Sequence, residues 1–127
     1  MPIIGHGVDI VEVARIGRML DEHADRFLER CFTERERAYA TGAKRTGEHL
    51  AGRFAAKEAA LKAIGTGWRH GIAWTDVEVV LEATGAPRLE VTGRVAEIAA
   101  ELGIGAWHVS ISHTQTHAIA SVIAESR

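Results

Sequence analysis

A single cysteine, Cys31, stands in the 127 residues, so no disulfide can form within one chain and no thiolate metal cage can be built from it. That scarcity fits a reducing compartment, and a cytoplasmic location is the expectation. Only two prolines are present, and no Pro- or Ser-rich linker, low-complexity run or internal repeat marks a boundary. The chain therefore reads as one domain over residues 1–127. Long apolar runs are also missing: none approaches the ~20 residues that cross a bilayer. Met1-Pro2-Ile3-Ile4-Gly5 shows no basic stretch leading into an apolar one. Neither export nor membrane insertion is expected. An excess of positive charge is absent too, with a net charge of -2 and a pI of 6.4. This argues against a surface built to neutralise nucleic-acid phosphates.

What is present describes an ordinary soluble core, with 46% apolar and 25% charged residues. The charge is unevenly spread. Residues 1–69 hold twelve of the 15 Lys and Arg against ten acids, and residues 70–127 hold three against seven. An anionic partner is therefore sought in the first half.

Ile3 to Ile10 alternates as a strand, with Ile4, His6, Val8 and Ile10 on one face and Ile3, Gly5, Gly7 and Asp9 on the other. Asp9 thus emerges beside two glycines, where a ligand can approach the backbone, and His6 falls in the apolar row as a packed or interface residue. Val13, Ile16, Leu20 and Phe27 predict a helix over about 12–29. Thr33-Glu34-Arg35-Glu36 has the spacing of a capping box opening a short helix that Gly42 can stop. A long helix is expected from Glu48 to Ile64, closed by Gly65. A hairpin is expected from 75–82 and 88–92 around Gly85-Ala86-Pro87, then a helix over 93–102 closed by Gly103. Strands at 107–112 and 118–124 should flank the loop His113 to His117. The class is α+β: a single small domain with an antiparallel or mixed sheet against a long central helix.

Glu58 and Lys62 share a face of that helix at i,i+4 spacing, a pattern that alone marks a solvated surface pair. Ala51, Ala55 and Ala59 surround the Glu58 side and leave room for a substrate or another backbone. Lys57 falls within the apolar arc between Leu50 and Ile64, so its amine either snorkels outward or pairs across an interface. Asp9 either caps the helix beginning near Glu12 or supplies a second carboxylate to a magnesium ion, which takes one or two protein carboxylates with substrate phosphate and water. His113 sits where a side chain can reach a cleft, bind phosphate or move a proton.

Taken in order, Gly5-His6-Gly7-Val8-Asp9-Ile10, Arg15-Ile16, Ala51-Gly52-Arg53-Phe54-Ala55-Ala56-Lys57-Glu58-Ala59, Lys62-Ala63-Ile64-Gly65-Thr66-Gly67 and Val109-Ser110-Ile111-Ser112-His113-Thr114 resemble the holo-acyl-carrier-protein synthases. The resemblance covers essentially the whole chain; His6 departs from it, standing where the family more often has an aliphatic residue. It implies a phosphopantetheinyl-transferase-like fold and transfer of 4′-phosphopantetheine from coenzyme A to a serine of apo acyl carrier protein. It further implies magnesium on Asp9 and Glu58, Lys62 on the pyrophosphate, and phosphate contacts from Lys44, Arg45 and Arg53. His113 and Thr114 would line the nucleotide site, and Gly85 with Pro87 the adenine pocket. Glu58 would activate the serine, directly or by way of a water on the metal. The implied assembly is a homotrimer with active sites between subunits, for which the small or apolar girth of the central helix is an independent argument: one small domain would not cover it. Arg15 and Arg26 would dock the acidic carrier protein, partly neutralised by Glu22 and Glu29. The rival readings are a non-catalytic coenzyme A or nucleotide-binding oligomer, and a structural oligomer using Glu58 and Lys57 as interface ion pairs.

Overall fold

The computed structural model describes residues 2–41 and 46–127. Its elements are β1 (Ile3–Glu12), α1 (Val13–Cys31), α2 (Glu34–Thr41), α3 (Thr46–Ile64), a 3₁₀ turn (Trp74–Asp76), β2 (Val77–Leu81), β3 (Pro87–Val91), α4 (Gly93–Leu102), β4 (Ile104–His113) and β5 (His117–Ser126). Both sheets are antiparallel: β1-β5-β4 forms one, and the β2-β3 hairpin forms the other.

The expected helix α3 is the axis of the core. Leu50, Ala51, Phe54, Ala55, Ala56, Ala59, Ala60, Leu61 and Ala63 are all buried along it. The chain's own strands and helices supply this cover. The argument that the girth of α3 demands a second subunit is therefore corrected: alanines are narrow enough for the sheet to lie against the helix within one chain. The same alanines take up sheet, and the room beside Glu58 that their small size implied goes to β-structure.

The glycines of β1 explain how close that packing is. A Cβ on Gly5 would stand 1.8 Å from the Ala63 carbonyl oxygen, and one on Gly7 2.0 Å from that of Ala59. The backbone approaching Asp9's strand is thus α3 rather than a ligand. Val11 of the same row is buried, whereas His6, Val8 and Ile10 of the alternate row face outward. His6 lies exposed, with Nε2 3.0 Å from Ser121 Oγ.

Strand β1 runs two residues beyond its expected end, and Glu12 occupies the N-cap position of α1. Asp9 therefore has no capping role. Thr33 and Glu36 form the expected reciprocal box: Thr33 N donates to Glu36 Oε1 at 2.9 Å and Glu36 N to Thr33 Oγ1 at 3.3 Å. Gly42, the expected stop of α2, lies outside the described residues. Gly65, at φ 74°, ends α3, and its N–H and that of Thr66 bond the carbonyls of Lys62 and Leu61.

Lys57 corrects another expectation. Its side chain is fully buried, with Nζ 2.8 Å from Glu36 Oε1 and donating to the carbonyls of Trp74, at 3.2 Å, and Val77. Glu36 Oε2 also accepts from Val79 N at 2.9 Å. The amine neither reaches water nor crosses an interface; it ties α3 to α2, the 3₁₀ turn and β2.

Candidate active site

One stripe of α3, Phe54, Glu58 and Lys62, passes from a groove to the end of β1. Lys62 Nζ donates to Asp9 Oδ1 and to the Val8 carbonyl, each at 3.0 Å. Its i,i+4 relation to Glu58 therefore does not make it merely a partner of that residue. Partial burial raises the Glu58 carboxyl above the ordinary carboxylate range. The negative charge of Asp9 adds to the rise, while the Trp68 indole, Lys62 and Arg15 oppose it. Asp9, Glu58 and Lys62 are thus brought together, as the sequence implied.

Two carboxylates in half-buried ground create a demand for positive charge. Among the described residues no group of three or more His, Cys, Asp or Glu could hold a metal ion by itself. A small oxygen-preferring cation fits Asp9 and Glu58 only if a substrate completes its shell, which is the way magnesium binds phosphate substrates.

A second gathering lies nearer the start of α3. Arg53, Gly85, Pro87 and His113 line a hollow of about 190 Å³ with Tyr39, His49 and others. Arg53 is 5% exposed, and its guanidinium lies 4.5 Å from the Tyr39 ring centroid. Nη1 donates to the His49 carbonyl at 3.3 Å, while Nε is buried with no acceptor. Burial lowers its pKa from the ordinary arginine value, with Glu36 the largest opposing influence. A guanidinium beside a hollow, with one buried donor unmet, is suited by its charge and planar donors to meet an anion. The His49 and His113 rings stand 6.1 Å apart beside it.

Thr114 serves its own turn: its hydroxyl accepts from the backbone N–H groups of Thr116 and His117 at 3.2 and 3.1 Å. Lys44 and Arg45 lie outside the described residues. His113 is the last residue of β4, paired with Ala118, while Asp9 pairs with Ala120 on the other side of β5. Two strand spacings, about 10 Å, separate those backbones. The carboxylate pair and the arginine hollow are therefore distinct gatherings within one chain.

The third feature is a groove of about 370 Å³ between α1 and α3. Arg15, Arg26 and Arg30 line it with Met19, Phe27, Phe54 and Trp74. Both arginines assigned to carrier-protein docking face this one groove, and Arg15 Cζ lies 5.4 Å from the Phe54 ring centroid.

Sequence reasoning missed Tyr39, His49, Trp68 and Trp74. Tyr39 and His49 carry no periodic signal because their neighbours come from distant elements. Trp68 and Trp74 flank a turn-rich stretch, where aromatic residues have no spacing rule to reveal them.

The profile of the 4′-phosphopantetheinyl transferase superfamily matches residues 5–121. A holo-[acyl-carrier-protein] synthase of Streptomyces coelicolor is 51% identical, over 98% of this chain and 99% of its own. The crystal structure of a holo-(acyl-carrier-protein) synthase from Bacillus anthracis, in complex with CoA (3′,5′-ADP), has 42% identity and a TM-score of 0.82, covering 98% of each chain. That of the Neisseria meningitidis holo-[acyl-carrier-protein] synthase has 33% identity and a TM-score of 0.90, covering 98% of this chain and 100% of that one. With sequence agreement along nearly the whole length and the same fold beneath it, the chain belongs to the 4′-phosphopantetheinyl transferase superfamily, among its holo-acyl-carrier-protein synthases.

Proposed function

We propose that the chain transfers 4′-phosphopantetheine from coenzyme A to a serine of an apo acyl carrier protein, with the roles divided among the three gatherings just described. The observation that carries this division is the contact of Lys62 with Asp9 at 3.0 Å beside the part-buried Glu58. It sets two carboxylates and an ammonium at one strand end, next to a basic groove. In the reaction the serine oxygen forms a bond to the β-phosphorus of coenzyme A. The bond from that phosphorus to the oxygen bridging the two phosphates breaks, and adenosine 3′,5′-bisphosphate leaves.

Glu58 accepts the serine proton, directly or through a water. Lys62 lays positive charge against the leaving phosphate, where charge accumulates. Magnesium held by Asp9 and Glu58 would supply electrostatic stabilisation of the pyrophosphate oxygens when bound. Arg53, Gly85, Pro87 and His113 hold the adenosine bisphosphate half of the donor, joined by Lys44, Arg45 and Thr114. Arg15 and Arg26 receive the acidic carrier protein in the α1 groove, whose Met19 and Phe27 add apolar contact. Asp9 and His113 lie on strands either side of β5, and in the homotrimer that the family resemblance implies the donor would bridge the hollow of one subunit and the carboxylates of the next. A cytoplasmic location accompanies this substrate pair.

The test is mass spectrometry of an apo carrier protein incubated with the chain, coenzyme A and magnesium. A gain of one phosphopantetheine, abolished in Glu58→Ala and Asp9→Ala, is expected. Coenzyme A binding without any mass gain would return the chain to a binding protein.

A further inference from the structure

Arg53 borders two hollows. The first, of about 190 Å³, is the one it shares with Gly85, Pro87 and His113. The second, also of about 190 Å³, is bounded by Arg35, Glu36, Val79, Val80 and Leu81. Tyr39 of α2 borders both as well, so its ring and the guanidinium together form the partition between them.

The guanidinium is turned to the first hollow. Nη1 donates to the His49 carbonyl, one turn back on α3, at 3.3 Å, and His49 lines the first hollow but not the second. That single bond leaves Nε buried without an acceptor. On the other side stands the buried Glu36 carboxylate, an anion that draws the cation away although Lys57, Thr33 N and Val79 N already bond it. The Tyr39 ring opposes such a swing: its centroid lies 4.5 Å from Arg53 Cζ, well inside the range of cation–ring attraction. The ring is itself set by the His49 imidazole, edge to face at 5.4 Å and 87°. At 46% exposure Tyr39 fills little of the core, so packing does not account for it. The first hollow also carries the Glu48 carboxylate, and an anion is admitted there only if the guanidinium faces it.

We propose that Tyr39 is a positioning residue for the coenzyme A donor: its ring holds the Arg53 guanidinium on the partition, turned to the first hollow, so that a phosphate of the adenosine bisphosphate half meets donors already in place. A free arginine side chain would lose its rotamer freedom on binding, and the ring removes that freedom beforehand. This rests on the assignment of Arg53 under Proposed function.

Kinetics with coenzyme A and an apo acyl carrier protein test it. Tyr39→Leu should raise KM for coenzyme A roughly 5- to 30-fold, the reach of one cation–ring contact partly withdrawn from water, with kcat and KM for the carrier protein unchanged. Tyr39→Phe keeps the ring and should bring KM back to within about two-fold of the wild type. Calorimetry with adenosine 3′,5′-bisphosphate completes a cycle: Tyr39→Leu should weaken binding in the wild-type background and add nothing once Arg53→Gln is in place. An unchanged KM in Tyr39→Leu overturns the inference, as does an equal loss in Tyr39→Phe or a full further loss on top of Arg53→Gln. Should Tyr39→Leu fail to fold, the contact itself decides. The chain has one tyrosine, so protein made with 3-fluorotyrosine gives a single ¹⁹F resonance, which Arg53→Lys should move in the free protein. A resonance blind to that change overturns the inference too. Undiminished use of coenzyme A by Arg53→Gln would instead remove the Arg53 assignment, a failure read without Tyr39.

Discussion

Lys57 and Glu36 place opposite charges at 0% side-chain exposure, 2.8 Å apart. Burial pulls the lysine below its ordinary range while Glu36 opposes the shift. Removing one partner strands the other in the core, which costs about 3–5 kcal/mol, whereas removing both charges is far milder. Lys57→Met should therefore destabilise strongly, and Glu36→Gln with Lys57→Met should recover much of the loss. A double-mutant cycle of urea unfolding would read the coupling; a double variant that loses the sum of the two single losses would show that the pair acts independently. The sequence placed Lys57 correctly on the apolar arc but could not name its partner, because Glu36 comes from a separate short helix and its capping-box role gave no hint of a second bond.

Glu58 carries a different kind of prediction at the same scale. Its carboxyl is raised on folding, chiefly by desolvation, so the folded state favours the protonated form. The corresponding stability is fully present below the unfolded carboxyl value of 4.5 and is lost as pH rises through the higher folded value. Glu58→Gln removes that loss. At pH 7 the variant should melt no lower than the wild type while losing transfer, and any gain should shrink as the solution is acidified below the usual carboxylate range. A Gln variant that is less stable at pH 7 yet equal at low pH would reverse the sign and refute the account.

At the scale of elements, β1 and α3 meet through Gly5 and Gly7. A methyl group on Gly7 would lie 2.0 Å from the Ala59 carbonyl oxygen, with backbone rather than a flexible side chain in the way. Gly7→Ala should destabilise by about 3 kcal/mol or more. It should also lower transfer in whatever folds, because Asp9 is two residues along the strand displaced from Lys62. Urea midpoints and turnover of the folded fraction would check both; a neutral Gly7→Ala would mean that the helix can back away. This contact shows what was legible and what was not. Alternation and helical spacing located β1, α3 and the β2-β3 hairpin. The partner of the glycine face stayed hidden, since a glycine that admits a ligand and one that admits a helix look alike in one dimension. Likewise, four members of the arginine hollow were legible through the family resemblance, whereas Tyr39 and His49 join it only when α2 and α3 are packed.

On the scale of the whole molecule, the outward face of the β1-β5-β4 sheet displays Ile10 at 63%, Val8 at 49% and Ile119 at 43% exposure, with Ile10 and Ile119 paired across strands. An antiparallel sheet can leave one face to water, but that face is ordinarily polar. Apolar side chains gathered on a single face mark an interaction surface, and we propose this one as the surface through which copies associate. The case for assembly thus moves from the girth of α3, which its own chain covers, to this sheet. Light scattering at micromolar concentration should give three chains, and Ile119→Lys should lower the mass to one chain and abolish transfer together. The division of the site across subunits is tested by mixing Glu58→Ala with His113→Ala, each inactive alone. After subunit exchange, roughly a quarter of randomly assembled clefts in an equal mixture would combine an intact carboxylate pair with an intact His113, and activity should return in that proportion. A monomeric wild-type mass would exclude the assembly. Proven exchange of two inactive parents without rescue would place Asp9, Glu58 and His113 in service of one chain's own site, leaving the separation across β5 to be bridged by the length of coenzyme A.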